Sequence, residues 1–203
     1  HSFYYYYPSK SPLPFLWKEG EGLVRDVFPE GRGSPNGLTE GGEVAINLMP
    51  NVGSGQIQFA TPLLLSPTGQ TDLRGDFPDL QRVTDMNESG AWVGFTRSGT
   101  LVSDEVVFDN TPTLDQGHRL EPVAIGKDNH VLIREYPSDD PNDWKYATYW
   151  IYEGSGEWCE VAQPRWLDTV YIGSMNSKGA MVGSGYEVNW ETRLDSWGIT
   201  TGT

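Results

Sequence analysis

The chain has 203 residues, 12% of them aromatic and 21% charged, and a formal net charge of −14 at neutral pH. This length suffices for one well-buried domain. The charge argues against nucleic acid and anionic membrane surfaces as partners, because both are bound through clustered Lys and Arg side chains. No apolar stretch approaches the ~20 residues that span a bilayer, so we expect no membrane insertion.

Glycine (24) and proline (14) are spread along the chain, as turns between many short strands require. No stretch of about 12 residues keeps the apolar period of a helix. The single cysteine, Cys159, cannot form an internal disulfide and is expected to be an ordinary strand residue. The composition therefore predicts an all-β protein.

Four short segments along the chain resemble one another, and each carries Gly or Asn at its fourth position before an apolar stretch. Gly and Asn tolerate a positive φ, as the last residue of a common turn between antiparallel strands requires. Asn87 and Asn176 open two of these turns, where an Asn side chain can bond its own backbone. Each segment therefore predicts a β-hairpin. The segments are Thr39–Ile46, Asn87–Gly94, Gly126–Ile133 and Asn176–Gly183.

A second family of apolar segments alternates with these hairpins and predicts a second hairpin in each repeat. Its marker residues, 48, 43, 43 and 46 residues apart, are Trp17, Leu65, Phe108, Ile151 and Trp197. Two hairpins in about 45 residues make one four-stranded blade, and radial packing of such blades is the β-propeller architecture. We therefore predict a single domain, 1–203, with five blades at roughly 1–30, 36–75, 81–117, 120–164 and 168–203. The aromatic segment His1–Tyr7 is predicted to complete the first blade or to pair with chain from the last one, closing the ring.

The order of these motifs resembles bacterial HAF-type repeats. Phe15-Leu-Trp17, a Gly-containing turn and Asp26 match the first part of that repeat. Met86–Gly94 and Met175–Gly183 match its last part, whereas the third copy departs at Asn129 and Ile133. The resemblance implies a propeller-like β-fold, often found in exported bacterial proteins, and no single activity. It favours an exported or cell-surface location over a cytoplasmic one.

Five tryptophans have no counterpart in most repeats and are the candidate ligand-site residues. Aromatic faces stack well on sugar rings, so these side chains favour a carbohydrate site. The alternative is that they cover blade edges or pack between blades. They are Trp92, Trp144, Trp158, Trp166 and Trp190.

Two groups of acids are further candidates. Asp139, Asp140 and Asp143 lie in the most polar loop and could offer hard oxygen ligands to Ca²⁺. The alternative is that they are solvated residues of an ordinary turn. No other cofactor is predicted. The second group recurs after the markers and is expected to bond turn backbone or a neighbouring blade, with catalysis in a central funnel as the alternative. Its members are Asp26, Asp72, Asp115 and Glu160.

These patterns favour a non-catalytic binding or scaffold module that uses a propeller face or the grooves between blades. Its partner would be a glycan or a protein. One alternative is a small glycoside hydrolase with carboxylates in the central funnel. Another is an interaction domain excised from a longer repeat protein.

Overall fold

The computed structural model describes most of the middle of the chain, in which it places 17 β-strands and no α-helix, only one 3₁₀ turn at Leu73–Gly75. The all-β prediction is confirmed, with sheets that curl into a half-barrel. Within these residues no helix has the length and apolar character needed to cross a bilayer. The described residues are 16–18, 20, 22–24, 32–49, 60–66, 68–108, 118–136, 147–154, 156–163, 167, 169–176, 178–186, 193–194 and 200–201.

The strands are short and follow one another closely along the chain. Their bounds are β1 Leu16–Lys18, β2 Gly22–Val24, β3 Arg32–Leu38, β4 Val44–Met49, β5 Thr61–Ser66, β6 Gly69–Asp72, β7 Leu80–Met86, β8 Trp92–Thr96, β9 Leu101–Ser103, β10 Arg119–Ile125, β11 Val131–Tyr136, β12 Thr148–Tyr152, β13 Trp158–Glu160, β14 Thr169–Met175, β15 Met181–Tyr186, β16 Arg193–Leu194 and β17 Thr200–Thr201.

Consecutive strands pair antiparallel and form four repeat units. Unit A (β3–β6, 32–72) and unit C (β10–β13, 119–160) are four-stranded meanders. Unit B (β7–β9, 80–103) has three described strands, and unit D (β14–β15, 169–186) has two. Units A and C therefore have the two hairpins per repeat that the sequence predicts. The proposed closing strand His1–Tyr7 lies outside the described residues.

The first hairpin of each unit closes through the predicted turn. In every case the first N–H donates to the fifth carbonyl and the fourth N–H donates to the first carbonyl, at 2.8–3.2 Å. The Oδ1 of Asn87 also accepts the N–H of Ala91 at 3.0 Å, and Asn176 does the same for Ala180 at 2.9 Å. The prediction of a left-handed residue at the fourth position is confirmed. Its φ values are 84° at Gly42, 95° at Gly90, 60° at Asn129 and 76° at Gly179.

The second hairpin of unit B differs from the prediction. The sequence predicts a third strand at the marker segment Glu105–Phe108, but the structure has no strand there. The third strand is β9, because Gly99, with a φ of 83°, closes a tight turn directly after β8. Ser103 of β9 is paired with Val93, in the place that Leu64 takes opposite Ala45 in unit A.

The first strands of the four units lie side by side in chain order. Strand β3 pairs with β7 in parallel at Gly37 and Met86, and a Cβ at Gly37 would lie 2.5 Å from the Met86 Cβ and 2.7 Å from its backbone nitrogen. Strand β10 contacts β7 on one side and β14 on the other. Gly37 is therefore required for the closest of these approaches, since any side chain there would push the two strands apart.

Hydrophobic clusters fill the interfaces between neighbouring units. Successive strand residues point to opposite faces of a sheet, and unit C buries both of its faces in this way. Ile133 packs toward Val93 of unit B, whereas Leu132 packs toward Ile172 of unit D. A third cluster joins units A and B, and a fourth covers the other face of unit A. The core is thus a series of interfaces between units.

Side chains also supply hydrogen bonds across these interfaces. The Asn47 side chain in unit A is 3% exposed. Its Nδ2 donates to the carbonyl of Val83 at 2.7 Å, and its Oδ1 accepts the Val83 N–H at 3.0 Å. In unit C the hydroxyl of Tyr149 accepts the Ile172 N–H at 3.0 Å. In both cases a side chain satisfies the open backbone edge of the next unit's first strand.

We predict that Asn47→Ala destabilises the protein by about 2–4 kcal/mol, because the Val83 N–H and C=O are then buried without partners. Urea unfolding monitored by circular dichroism measures this difference. Asn36→Ala is the matched control, since its amide bonds only the Ser34 carbonyl at an exposed position, and it should change stability by less than ~0.5 kcal/mol. Equal losses in the two variants would contradict the proposed bridge.

A second prediction concerns Gly94, which pairs with Val83 beside a β-bulge in β7. A Cβ at Gly94 would overlap the carbonyl oxygen of Arg82. Gly94→Ala should therefore cost about 1–3 kcal/mol through the backbone shift that it forces. Gly69→Ala, where the added Cβ meets open space, should be close to neutral in the same urea experiment. A neutral Gly94→Ala would show that the hairpin tolerates the shift.

Candidate functional site

A polar cavity of about 230 Å³ lies where the first strands of the four units end at their repeated turns. All four units contribute to its wall. We call it the axial cavity. Its lining residues are Leu38, Asp85, Met86, Asn87, Glu88, Ile125, Lys127, Ser174, Met175 and Asn176. It is formed because the first strands run side by side and each changes direction at the same level.

Asp85 is the partly buried acid of this cavity. Its Oδ2 accepts the N–H of Ile125 at 2.9 Å, which links unit B to the first strand of unit C. Burial raises the pKa of the Asp85 carboxyl to about 6, although the N–H groups of Ile125 and Met86 act in the opposite direction. The carboxyl therefore titrates close to neutral pH while holding two units together.

Asn87 makes a second link at the same place. Its Nδ2 donates to the Gly126 carbonyl at 2.9 Å and lies 3.1 Å from Oδ1 of Asn129. Its Oδ1 holds the turn of its own hairpin through Ser89 and Ala91. The amide is therefore fully engaged, and it fixes the turn of unit B against the turn of unit C.

The remaining polar lining residues are exposed and can contact a ligand. Glu88 and Lys127 are the second residues of two neighbouring turns, and Asn176 opens a third. With Asp85 ionised, the lining carries two negative charges and one positive charge. This set of carboxylates, an ammonium group and amides can form hydrogen bonds with hydroxyl groups. Within the described ranges no group of three His, Cys, Asp or Glu side chains is placed to hold a metal ion.

The structure describes two of the five tryptophans predicted as ligand-site residues, and it places them in different interfaces. Trp92 is 2% exposed and packs edge-on against Phe77 between units A and B. Trp158 is half-buried and packs on Tyr152 beside the cluster between units B and C. Both positions favour packing between units. Trp144, Trp166 and Trp190 lie outside the described residues, as do Asp139, Asp140 and Asp143 of the predicted Ca²⁺ loop.

The recurring acids do not line the axial cavity where they are described. Asp72 and Glu160 lie on the fourth strands of units A and C, on the opposite side of each meander from its first strand. The Asp72 side chain accepts the N–H of Arg74 at 3.0 Å, the bond to turn backbone expected from the sequence. Asp26 and Asp115 lie outside the described part of the chain.

Sequence reasoning missed Asp85 and Glu88 as site residues. Asp85 is two residues before its turn, where the other units have small residues, namely Gly37, Ala124 and Ser174. The sequence does contain a signal of this site, because Asp85 is an acid at a position where the other repeats have a small residue. Recognising it requires knowing that these four positions converge in space.

Comparison of the chain with protein-family models, with curated proteins and with solved structures finds no match in any of the three. The arguments about function therefore rest on the geometry of this molecule.

The raised pKa of Asp85 gives a testable pH dependence. The native carboxyl titrates near 6 and the unfolded one near 3.8, so folding takes up a proton between these values. The stability contribution of Asp85 is most favourable below about pH 4 and is lost as the pH rises through 6. Asp85→Asn, which keeps an acceptor for Ile125, should flatten the curve of unfolding free energy between pH 4 and 6.

The same variant should be more stable than wild type at pH 7, by roughly 1–3 kcal/mol. Asp79→Asn changes an exposed acid directly before β7 and should leave the curve unchanged. Urea unfolding at a series of pH values measures both variants. Identical slopes for Asp85→Asn and wild type would mean that Asp85 is not desolvated in solution.

Proposed function

We propose that the chain is a non-catalytic binding module, built as a five-bladed β-propeller, that binds a polar ligand in the axial cavity. The single observation that carries this proposal is the convergence of all four described units on one cavity. Units B, C and D contribute exposed Glu88, Lys127 and Asn176 from their repeated turns, and unit A contributes Leu38 from the end of β3.

The propeller arrangement is supported by the relation between the units. Units A and C are four-stranded meanders, their first strands stand beside those of their neighbours, and three of the four hydrophobic clusters lie between units. Radial packing of blades produces these three features together. In such an arrangement units A to D are consecutive blades, and β1–β2 belongs to the blade that precedes them.

A glycan is the ligand class that the lining favours. Carboxylates and amides accept and donate hydrogen bonds to vicinal hydroxyls, and the exposed side chain of Leu38 offers apolar contact for a ring face. The net charge of −14 disfavours strongly anionic ligands at this acidic cavity. A neutral sugar or an amino sugar fits these charges best.

The test is a glycan array probed with the purified chain, followed by calorimetric titration of the best binder. Glu88→Gln should weaken that binding about tenfold, the magnitude of one hydrogen bond to a charged group. The matched control is Glu40→Gln, which changes the equivalent turn residue of unit A, outside the cavity lining. Binding to no glycan would exclude the glycan version, and equal weakening in both variants would exclude the axial cavity as its site.

Sugar hydrolysis is the second candidate function, because a carboxyl with a pKa of about 6 shares this cavity with Glu88. Glycosidases use such an acid with a second carboxylate across the cleft. Asp85 already accepts backbone N–H groups between units, which favours a structural role. Release of nitrophenol from aryl glycosides, lost in both Asp85→Asn and Glu88→Gln, would decide for hydrolysis.

A further inference from the structure

A second cavity, of about 200 Å³, opens between units B and C at the opposite end of their strands from the axial cavity. Phe95 and Arg97 line it from the end of β8 and the turn that follows. Arg119 and Leu120 line it from the start of β10, and Glu121 lies beside them. We call it the inter-unit groove.

The acid in this groove is already neutralised. One oxygen of Glu121 accepts hydrogen bonds from Nη2 of Arg134 at 2.9 Å and from the hydroxyl of Tyr136 at 2.8 Å. Burial by itself lowers the pKa of Arg134, but the charge and hydrogen bond of Glu121 outweigh it and hold that pKa above its usual range. Burial and the bond to Glu121 also raise the pKa of Tyr136 to about 12. Arg134 therefore stays charged and Tyr136 stays neutral around neutral pH.

Arg119 is positioned by this network but forms no hydrogen bond with Glu121. Its Nη2 lies 3.9 Å from the Glu121 oxygen, outside hydrogen-bond distance, and its guanidinium stacks at 4.9 Å over the Tyr136 ring. The side chain remains 49% exposed. Stacking on an aromatic ring leaves the N–H fork of an arginine available for a planar anion.

Because Arg134 neutralises Glu121, the Arg119 guanidinium adds one positive charge to the lining of the groove. The charge of the groove is therefore opposite in sign to the net charge of the chain, which is −14. A single positive excess matches a monoanion better than a dianion. Phe95 and Leu120 add apolar surface next to the Arg119 guanidinium.

We propose that the inter-unit groove binds a carboxylate attached to a ring, with the carboxylate on Arg119 and the ring against Phe95 and Leu120. The Arg119 fork holds the two carboxylate oxygens, as paired guanidinium and carboxylate groups do elsewhere. The groove shares no lining residue with the axial cavity. This proposal is therefore independent of the function proposed for that cavity.

The experiment uses benzoate as the probe and benzamide as its uncharged isostere. Amide chemical shifts of the ¹⁵N-labelled protein are followed during titration. Benzoate should produce saturable shifts at Ser98, Gly99 and Leu120 with a dissociation constant in the millimolar range, and benzamide should not. Inorganic phosphate and sulfate are titrated in parallel and should bind at least about tenfold more weakly than benzoate.

Variants then assign the interaction to Arg119. Arg119→Gln should weaken benzoate binding at least tenfold, and Arg119→Lys, which keeps the charge but loses the fork, should give an intermediate loss. Arg82→Gln removes the same charge from an exposed position of β7 outside the groove and should leave binding unchanged. Unperturbed shifts elsewhere in each free variant establish that its fold is intact.

Three outcomes would overturn the proposal. One is the absence of saturable benzoate shifts at the groove. Another is equal weakening by Arg119→Gln and Arg82→Gln, which would indicate a general effect of charge. The third is tighter binding of phosphate than of benzoate, which would identify an oxyanion site of different chemistry.

Discussion

The structure depends on satisfying the open backbone edge of each unit's first strand. Within a meander the first strand has one neighbour, so half of its backbone N–H and C=O groups face away from its own sheet. Buried groups of this kind need partners. Here the neighbouring unit supplies them, through Asn47 to Val83, Asp85 to Ile125 and Tyr149 to Ile172. The hydrophobic clusters bring the units together, and these bonds fix how far each unit can slide along the next.

The same requirement accounts for the position of the axial cavity. Side chains near the end of β7 must reach β10, so Asp85 and Asn87 are directed toward the junction of two units. Polar side chains thereby collect at the level of the repeated turns, where the first strands end. The groove at the other end of units B and C has a different origin, because its charged network of Glu121, Arg134 and Tyr136 lies within unit C. One architecture thus offers an acidic cavity at one end and a weakly basic groove at the other.

Much of the local structure could be predicted from the sequence, because glycine and asparagine at the fourth position of a turn indicate a positive φ there. Gly42, Gly90, Asn129 and Gly179 have the left-handed φ that their pattern predicts. The third strand of unit B was placed wrongly because apolar markers do not show how tight a turn is, and Gly99 shortens that connection. The axial cavity could not be predicted, since its residues come from the ends of four first strands and from the turns after three of them, which are about 40–50 residues apart along the chain. Only the interruption of a small-residue position by Asp85 gave a signal of it.

Each bridge joins a unit only to its immediate neighbour, so stability is transmitted along the series of units one interface at a time. The axial cavity is different, because Leu38, Asp85, Ile125 and Ser174 bring all four units to one place. A molecule bound there would contact units that are not consecutive along the chain. It would hold the four units together. The free energy of unfolding of the whole protein would therefore rise with the concentration of its ligand.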